Sequence, residues 1–406
     1  MKHIFLFIDK ERSAAYGRGT YIQQMVKCLQ DSKNISLNIV QFFAGNKEFD
    51  VVIENNVHVY SFPFKNIQPS LLSRYYRNCW YILKNYIKLT SKDHVIFHLN
   101  FIREFELIKF MRKDYPLSKI FFTLHFQEWA STLQGNVDYY KRIIKKGATS
   151  SNTSLENEVY LNYVIEKQSL EEVDKIVCLS KFTERLLIEN YTISADKVLL
   201  IYNGLEDDFI VLNEKEKEQL KKRLFIPVYE KIILFVGRLD SSKGLDILIN
   251  AFKEVIALNP ECRLVIVGDG NFAEYLKMAK DLWNKIVFTG WLPKEDLCLF
   301  YQVADIAVLP SVHEQCSYVA IEMMGFKLPI ISSPAYGLRE MIDLYDNGII
   351  VETREKEDQM LISSHALGVA ILEALKIEKS KNIIMPSIYK LENTKINYLN
   401  LYSEHS

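Results

Sequence analysis

Glu314 and Glu322 stand eight residues apart, and Arg238 and Lys243 bracket a short turn well upstream of them. Two cations beside a glycine turn suit a diphosphate, and two carboxylates suit hydroxyl groups that need hydrogen-bond acceptors. Ser317 and Tyr318 lie between the glutamates at the start of an apolar helical run. Free N–H groups and the macrodipole of a helix start favour phosphate, and the Ser317 hydroxyl adds a donor. Together these residue types call for a ligand that is anionic at one part and rich in hydroxyls at another.

Such groups must be carried by strand ends. Ala304–Leu309 reads as a short buried strand, 310–315 as a polar loop, and the helix runs from Ser317 to about Phe326. Short β-rich runs alternate with helical segments throughout, the pattern of parallel sheets built from βαβ units. The expected strands are 4–8, 36–43, 57–61, 95–99, 120–124, 175–179 and 198–201, then 232–236, 263–267, 286–288, 306–309, 330–332 and 348–351. A charge-dense helix over 213–223 separates the two groups, predicting Rossmann-like domains at 1–205 and 206–388. The stretch 147–157 reads as a mobile surface loop.

Length and composition agree with two globular domains, since 406 residues exceed one ordinary core. A formal net charge of -1 provides no bulk attraction for nucleic acid. Six cysteines form no C-x-x-C pair, and Cys178 and Cys262 sit in apolar strands, so a reducing, cytoplasmic setting is expected. No apolar run approaches a membrane span, which leaves peripheral contact with the inner face of a membrane. No His, Cys and carboxylate cluster has metal-ligand spacing, and no metal site is expected.

Five blocks in the second half resemble the family 4 glycosyltransferases. They are ILFVGRLDSSKG (233–244), LVIVGDG (264–270), FTGWLPKEDL (288–297), HEQCSYVAIEMM (313–324) and KLPIISSPAYGLREMI (327–342), and their order is the family's. In the first half the resemblance is weaker, through Gly17-Arg18-Gly19-Thr20, His125 at a strand end, and Tyr202-Asn203-Gly204.

The resemblance implies the α/β GT-B architecture, two Rossmann-like parallel-sheet domains facing a central cleft, with a last helix over 389–406 crossing back to the first domain. It also implies metal-independent, retaining transfer of a hexose-type sugar from a nucleoside-diphosphate sugar, a UDP-sugar ahead of a GDP-sugar, to an acceptor hydroxyl. Arg238 and Lys243 would hold the diphosphate, Ser317 and Tyr318 a phosphate, Glu322 the ribose, Glu314 the transferred sugar, and Leu292 with its neighbours the base. His125 would contact the donor sugar as a catalytic group, and Gly17 and Gly19, in a tight βα turn, would let backbone approach the donor. Arg18 could touch either the diphosphate or the acceptor, and His98 and Asn100 are further acceptor-side residues.

Two departures stand out. Tyr336 precedes Gly337 where the family has paired glycines, and Lys327 replaces a usual glycine before Leu328-Pro329, where it trims a helix end. The acceptor is read as a glycan or lipid-linked saccharide of envelope or exopolysaccharide assembly, with a peptide as the alternative. The stretch 65–92 holds six basic and no acidic side chains among aromatics, so it either covers the first sheet or meets an anionic membrane. Gly268–Ala273 fits G-x-G-x-x-A, which keeps an NAD-dependent oxidoreductase as a rival, beside a non-catalytic binding protein.

Overall fold

The computed structural model describes residues 1–9, 17–63, 71–356, 359–377 and 383–404. Its chain forms two compact units. The first comprises 1–127, 143–204 and 391–406, and the second 128–142 with 205–390. The C-terminal helix Leu391–Glu404 thus belongs to the first unit, and a short segment from the first half packs with the second.

The first unit holds eight strands: β1 (Lys2–Asp9), β2 (Ile35–Ala44), β3 (Asp50–Glu54), β4 (Val57–Pro63), β5 (His94–Leu99), β6 (Lys119–Leu124), β7 (Lys175–Cys178) and β8 (Val198–Leu200). Their order is β3-β4-β2-β1-β5-β6-β7-β8. All neighbours are parallel except β3 and β4. Ile4, Leu6, Phe7, Phe97 and Leu124 are fully buried, as expected of strands covered on both faces. The antiparallel edge strand β3 was not expected. Its signal is Asn55-Asn56, both at positive φ, the backbone a two-residue hairpin requires and asparagine tolerates.

Two further expectations change. The polar stretch 147–157 is a loop only to Asn152, because Thr153 and Glu156 form a reciprocal capping box that starts the helix Ser154–Glu171. Gly17 and Gly19 lie inside the helix Gly17–Leu29, so they form its first turn rather than a turn ahead of it. Residues 10–16 and 64–70, part of the glycine-turn and basic stretches, lie outside the described residues.

The second unit's main sheet has six parallel strands: β9 (Lys231–Val236), β10 (Cys262–Val267), β11 (Ile286–Gly290), β12 (Ile306–Leu309), β13 (Ile330–Ser332) and β14 (Gly348–Ile350). The order β11-β10-β9-β12-β13-β14 reverses between β9 and β12. At such a switch the two loops leave their strands in opposite directions and open a crevice at the carboxyl ends. A small antiparallel pair, β15 (Thr353–Lys356) and β16 (Gln359–Ile362), follows.

The start of the switch is pinned by charge. The helix Glu214–Arg223 is capped by Asn213 and buries Lys217 and Lys221, which reach Asp305 at 2.7 and 3.5 Å. Asp305 also accepts from the Ile232 N–H at 2.8 Å, joining the start of β9 to that of β12.

The backbone at Lys327 is one that suits the glycine of the family pattern. The helix Tyr318–Gly325 ends at Phe326, and Lys327 follows at φ 58°, the left-handed conformation that closes a helix and penalises a Cβ. Lys327→Gly should therefore stabilise the second unit by about 1 kcal/mol, read as a higher urea midpoint at unchanged slope.

Candidate functional site

The loops after β9 and β12 are fastened to each other. Val312 N–H donates to the Ser242 carbonyl at 2.9 Å, and Gly244, at φ 64°, lies so close to Pro310 that a Cβ would fall 2.2 Å from its carbonyl oxygen. Gly244 also caps the helix Leu245–Leu258. Lys243 and Glu314 are consequently brought together, Nζ to Oε1 at 2.5 Å, with Ser311 Oγ donating to the same oxygen at 3.2 Å. Both side chains keep some solvent exposure. Arg238 sits on the same loop and pairs with Asp240 at 3.0 Å, nearly half of its side chain exposed. Asp240 in turn caps the turn by accepting from the Ser242 N–H at 2.9 Å.

Ser317 caps the helix Tyr318–Gly325, its Oγ accepting from Ala320 N–H at 3.4 Å. Its own N–H faces Met341 Sδ at 3.3 Å, which corrects the expectation that this amide points at a phosphate. The Ser317 hydroxyl keeps its proton to donate, and Tyr318 is the first residue of the helix.

Glu322 faces other neighbours. Tyr301 donates to its Oε2 at 2.8 Å, and burial pushes its carboxyl above the ordinary range against the pull of that hydrogen bond. It lines a pocket of ≈ 140 Å³ with Phe209, Lys294, Cys298, Tyr301 and Phe326. Leu292 is half-buried in the loop between β11 and the helix Lys294–Val303 that carries three of those residues, beside an exposed Trp291.

The glycines of the G-x-G turn serve packing. At Gly268 a Cβ would fall 1.8 Å from the Gly237 carbonyl oxygen, and at Gly270 it would fall 2.6 Å from that of Leu239. Leu239 N–H donates to Asp269 at 2.8 Å. The fingerprint spacing therefore has a cause within the chain, which is close approach of the Arg238 loop.

Tyr336 departs from the family's paired glycines, and the structure shows what holds it. Its hydroxyl bonds His313 Nδ1 at 2.7 Å, and its ring stacks on Trp129, which stacks on Tyr140 at 4.3 Å. Trp129 and Tyr140 belong to the segment 128–142, and Gly135 of that segment abuts the Val312 carbonyl. Desolvation lowers His313 to about 4, so its imidazole is neutral near pH 7. Neither His313 nor the 128–142 segment was anticipated; the spacing His313-Glu314 beside an out-of-pattern Tyr336 was the available signal.

In the first unit, His125 follows β6 and is half-buried, with Nε2 2.9 Å from Asn100 Oδ1. Asn100 also donates to the Phe7 carbonyl at 2.9 Å. His98, expected near an acceptor, is instead completely buried between Tyr402 and Thr123. Burial lowers it to about 3. Among the described residues, no group of three or more His, Cys, Asp or Glu side chains is placed to hold a metal ion, and no helix is long and apolar enough to cross a membrane.

Two Rossmann-like units, with cations and carboxylates gathered at a switch in strand order, define a GT-B architecture. The family profile "Glycosyltransferase Family 4" matches residues 17–209, and "Glycosyl transferases group 1" matches 216–363. The chain belongs to the family 4 glycosyltransferases of GT-B fold. It is 34% identical over 194 residues to an uncharacterized glycosyltransferase of Methanocaldococcus jannaschii, a match spanning 47% of this chain and 50% of that protein. Such matches span about half the length of the curated relatives. Among solved structures it is similar to sucrose-phosphate synthase of Thermosynechococcus elongatus, with TM-score 0.73, 19% identity and coverage of 100% and 99% of the two chains. It is also similar to Anabaena Alr3699/HepE in complex with UDP-glucose, with TM-score 0.71, 15% identity and 99% coverage of each.

The two buried histidines give the fold an acid-sensitive term. Both fall below the ordinary 6.5, so beneath that pH the unfolded chain binds protons that the folded chain refuses. Stability should be fullest above pH 6.5 and decline as pH drops toward 4, by up to about 1.4 kcal/mol per pH unit for each histidine. Urea titrations from pH 7.5 to 4.5 should show this slope, and His313→Gln should make it shallower.

Proposed function

We propose that the chain is a retaining glycosyltransferase that moves a hexose-type sugar from a nucleoside-diphosphate sugar to an acceptor hydroxyl. The observation that carries the reading is the Lys243–Glu314 pair at the strand-order switch, a cation and a carboxylate held at one point by loops that are hydrogen-bonded to each other. Charge grows on the departing diphosphate as its bond to the sugar C1 breaks, and Lys243 and Arg238 supply positive charge there. Ser317 and the start of its helix add donors. Glu314 accepts from a hydroxyl of the transferred sugar, and Glu322, whose raised carboxyl lies in the pocket beside Tyr301, accepts from the ribose. Leu292 and its neighbours meet the base.

The acceptor oxygen bonds to C1 on the face the diphosphate leaves, and its proton passes to the departing phosphate. No protein nucleophile is needed. His125, which bonds Asn100, is assigned to the donor sugar, and Gly17 and Gly19 offer first-turn amides to the donor. A UDP-sugar is the first donor to try, in keeping with the UDP-glucose complex of the HepE neighbour.

With each of UDP- and GDP-sugars, a thermal-shift screen followed by mass spectrometry of products tests the proposal. One donor should raise the melting temperature and be consumed, and Lys243→Ala and Glu314→Ala should lower the rate by about 100-fold or more while remaining folded. Stabilisation by NADH with no response to any nucleotide sugar would overturn it.

The acceptor is proposed to be a lipid-linked saccharide of envelope glycan assembly, met at the inner face of a membrane. The helix Leu72–Leu83 buries Tyr76, Cys79, Trp80 and Leu83 and turns Arg74, Arg77 and Tyr81 outward, followed by exposed Tyr86, Lys88, Leu89 and Lys92. It therefore both covers the sheet and presents a basic, aromatic face. Sedimentation with phosphatidylglycerol vesicles should pull down the protein at low salt, and Arg77→Glu with Lys88→Glu should release it. No sedimentation with phosphatidylglycerol vesicles even at low salt would leave the peptide acceptor as the better reading.

A further inference from the structure

The buried polar groups of the first unit form one continuous run. Tyr402 OH lies 2.6 Å from His98 Nδ1, His98 Nε2 lies 2.7 Å from Thr123 Oγ1, Thr123 Oγ1 lies 3.2 Å from Tyr21 OH, and Tyr21 OH lies 3.0 Å from Tyr398 OH. All five residues are at most 2% exposed. The run begins and ends on the C-terminal helix and passes through β5, β6 and the helix Gly17–Leu29 between. A neutral imidazole supplies one donor and one acceptor, so each hydroxyl can pass its proton to the next group in either direction and leave none inside unpaired.

The run also reaches the strand-end histidine. His98 and Asn100 alternate along β5 and its end, as Thr123 and His125 do along β6, so each pair points to one side of the sheet. His98 and Thr123 form the deep layer, and Asn100 and His125 the layer above, bonded at 2.9 Å. Tyr21 spans both layers. Its hydroxyl lies in the deep run, and its ring meets the His125 ring edge-on at 4.5 Å and 73°.

We propose that the C-terminal helix is a positioning element for His125, acting through Tyr398 and Tyr21, so that helix docking sets the orientation of that imidazole. The inference rests on the reading of His125 as a group that contacts the donor sugar. Tyr398, Tyr402, His98 and Tyr21 are positioning residues, since they touch one another rather than substrate. Removing the Tyr398 hydroxyl leaves the Tyr21 hydroxyl one partner short at the end nearest the helix. The Tyr21 ring is then free to tilt, and His125 loses the wall that fixes its plane while keeping its bond to Asn100.

The test uses the full chain with 13C-labelled histidine, whose eight imidazoles are resolved by NMR and of which His125 is identified by loss of its peak in His125→Gln. Tyr398→Phe should shift the His125 resonance and lower kcat about tenfold with the donor KM unchanged, a change corresponding to about 1.4 kcal/mol. Tyr402→Phe, at the far end of the run, should move His98 first and His125 less. Thr394→Ala is the control, because Thr394 is buried on the same helix and bonds the Tyr202 carbonyl at 3.0 Å, outside the run. It should lower stability without moving His125. A Tyr398→Phe protein whose His125 resonance matches that of Thr394→Ala would overturn the proposal, as would equal shifts from both. If Tyr398→Phe does not fold, the same comparison is read from Tyr402→Phe, where an unmoved His125 overturns it. A shifted His125 in a protein that consumes no nucleotide sugar would uphold the positioning and reject the transferase reading, so the two failures are distinguishable.

Discussion

The second unit depends on one constraint, the backbone bond between Val312 and Ser242 that ties the loops after β9 and β12. Those strands are neighbours whose connections run opposite ways, so their loops would diverge if nothing held them. The bond and the glycine at 244, which admits the Pro310 carbonyl, let residues 71 positions apart meet as Lys243 and Glu314. A partly buried pair of this kind adds little to stability, because desolvation offsets much of the attraction. Its consequence is placement: the two charges are held at one point beside the switch in strand order.

The first unit solves a different problem with similar means. Its strand-end histidine sits above a layer of buried polar groups that an apolar core would ordinarily exclude. These groups are tolerable because each has a partner, and the last partners come from a helix at the other end of the chain. Closing the fold and satisfying the core are therefore one event.

Much of this was legible beforehand. The second unit's six main strands were found nearly to the residue, because parallel strands buried on both faces read as unbroken Val, Ile and Leu runs. The Ser317 helix start and the helix over 213–223 were visible for a similarly local reason. The misses were local signals passed over: Asn55-Asn56 marked a hairpin, and Thr153 with Glu156 marked a helix start within a stretch read as loop. On the last helix the apolar Ile396 is about half exposed, whereas Thr394 and Tyr398 are buried. Polar atoms on Tyr and Thr hide a buried face from hydrophobic periodicity.

By itself the sequence determined the class of fold, the order of the strands along the chain and the residues that gather at the switch, because periodicity, glycine turns and caps act between near neighbours. Only tertiary structure decided which of those residues touch. His98 was placed at a ligand edge and lies in the core, Tyr336 was an anomaly and is the partner of His313 and Trp129, and Gly268 and Gly270 resembled a cofactor turn and make room for the backbone at Gly237 and Leu239. Each outcome turns on groups far apart in the chain, whose proximity is set by sheet order and packing and leaves no mark in local spacing.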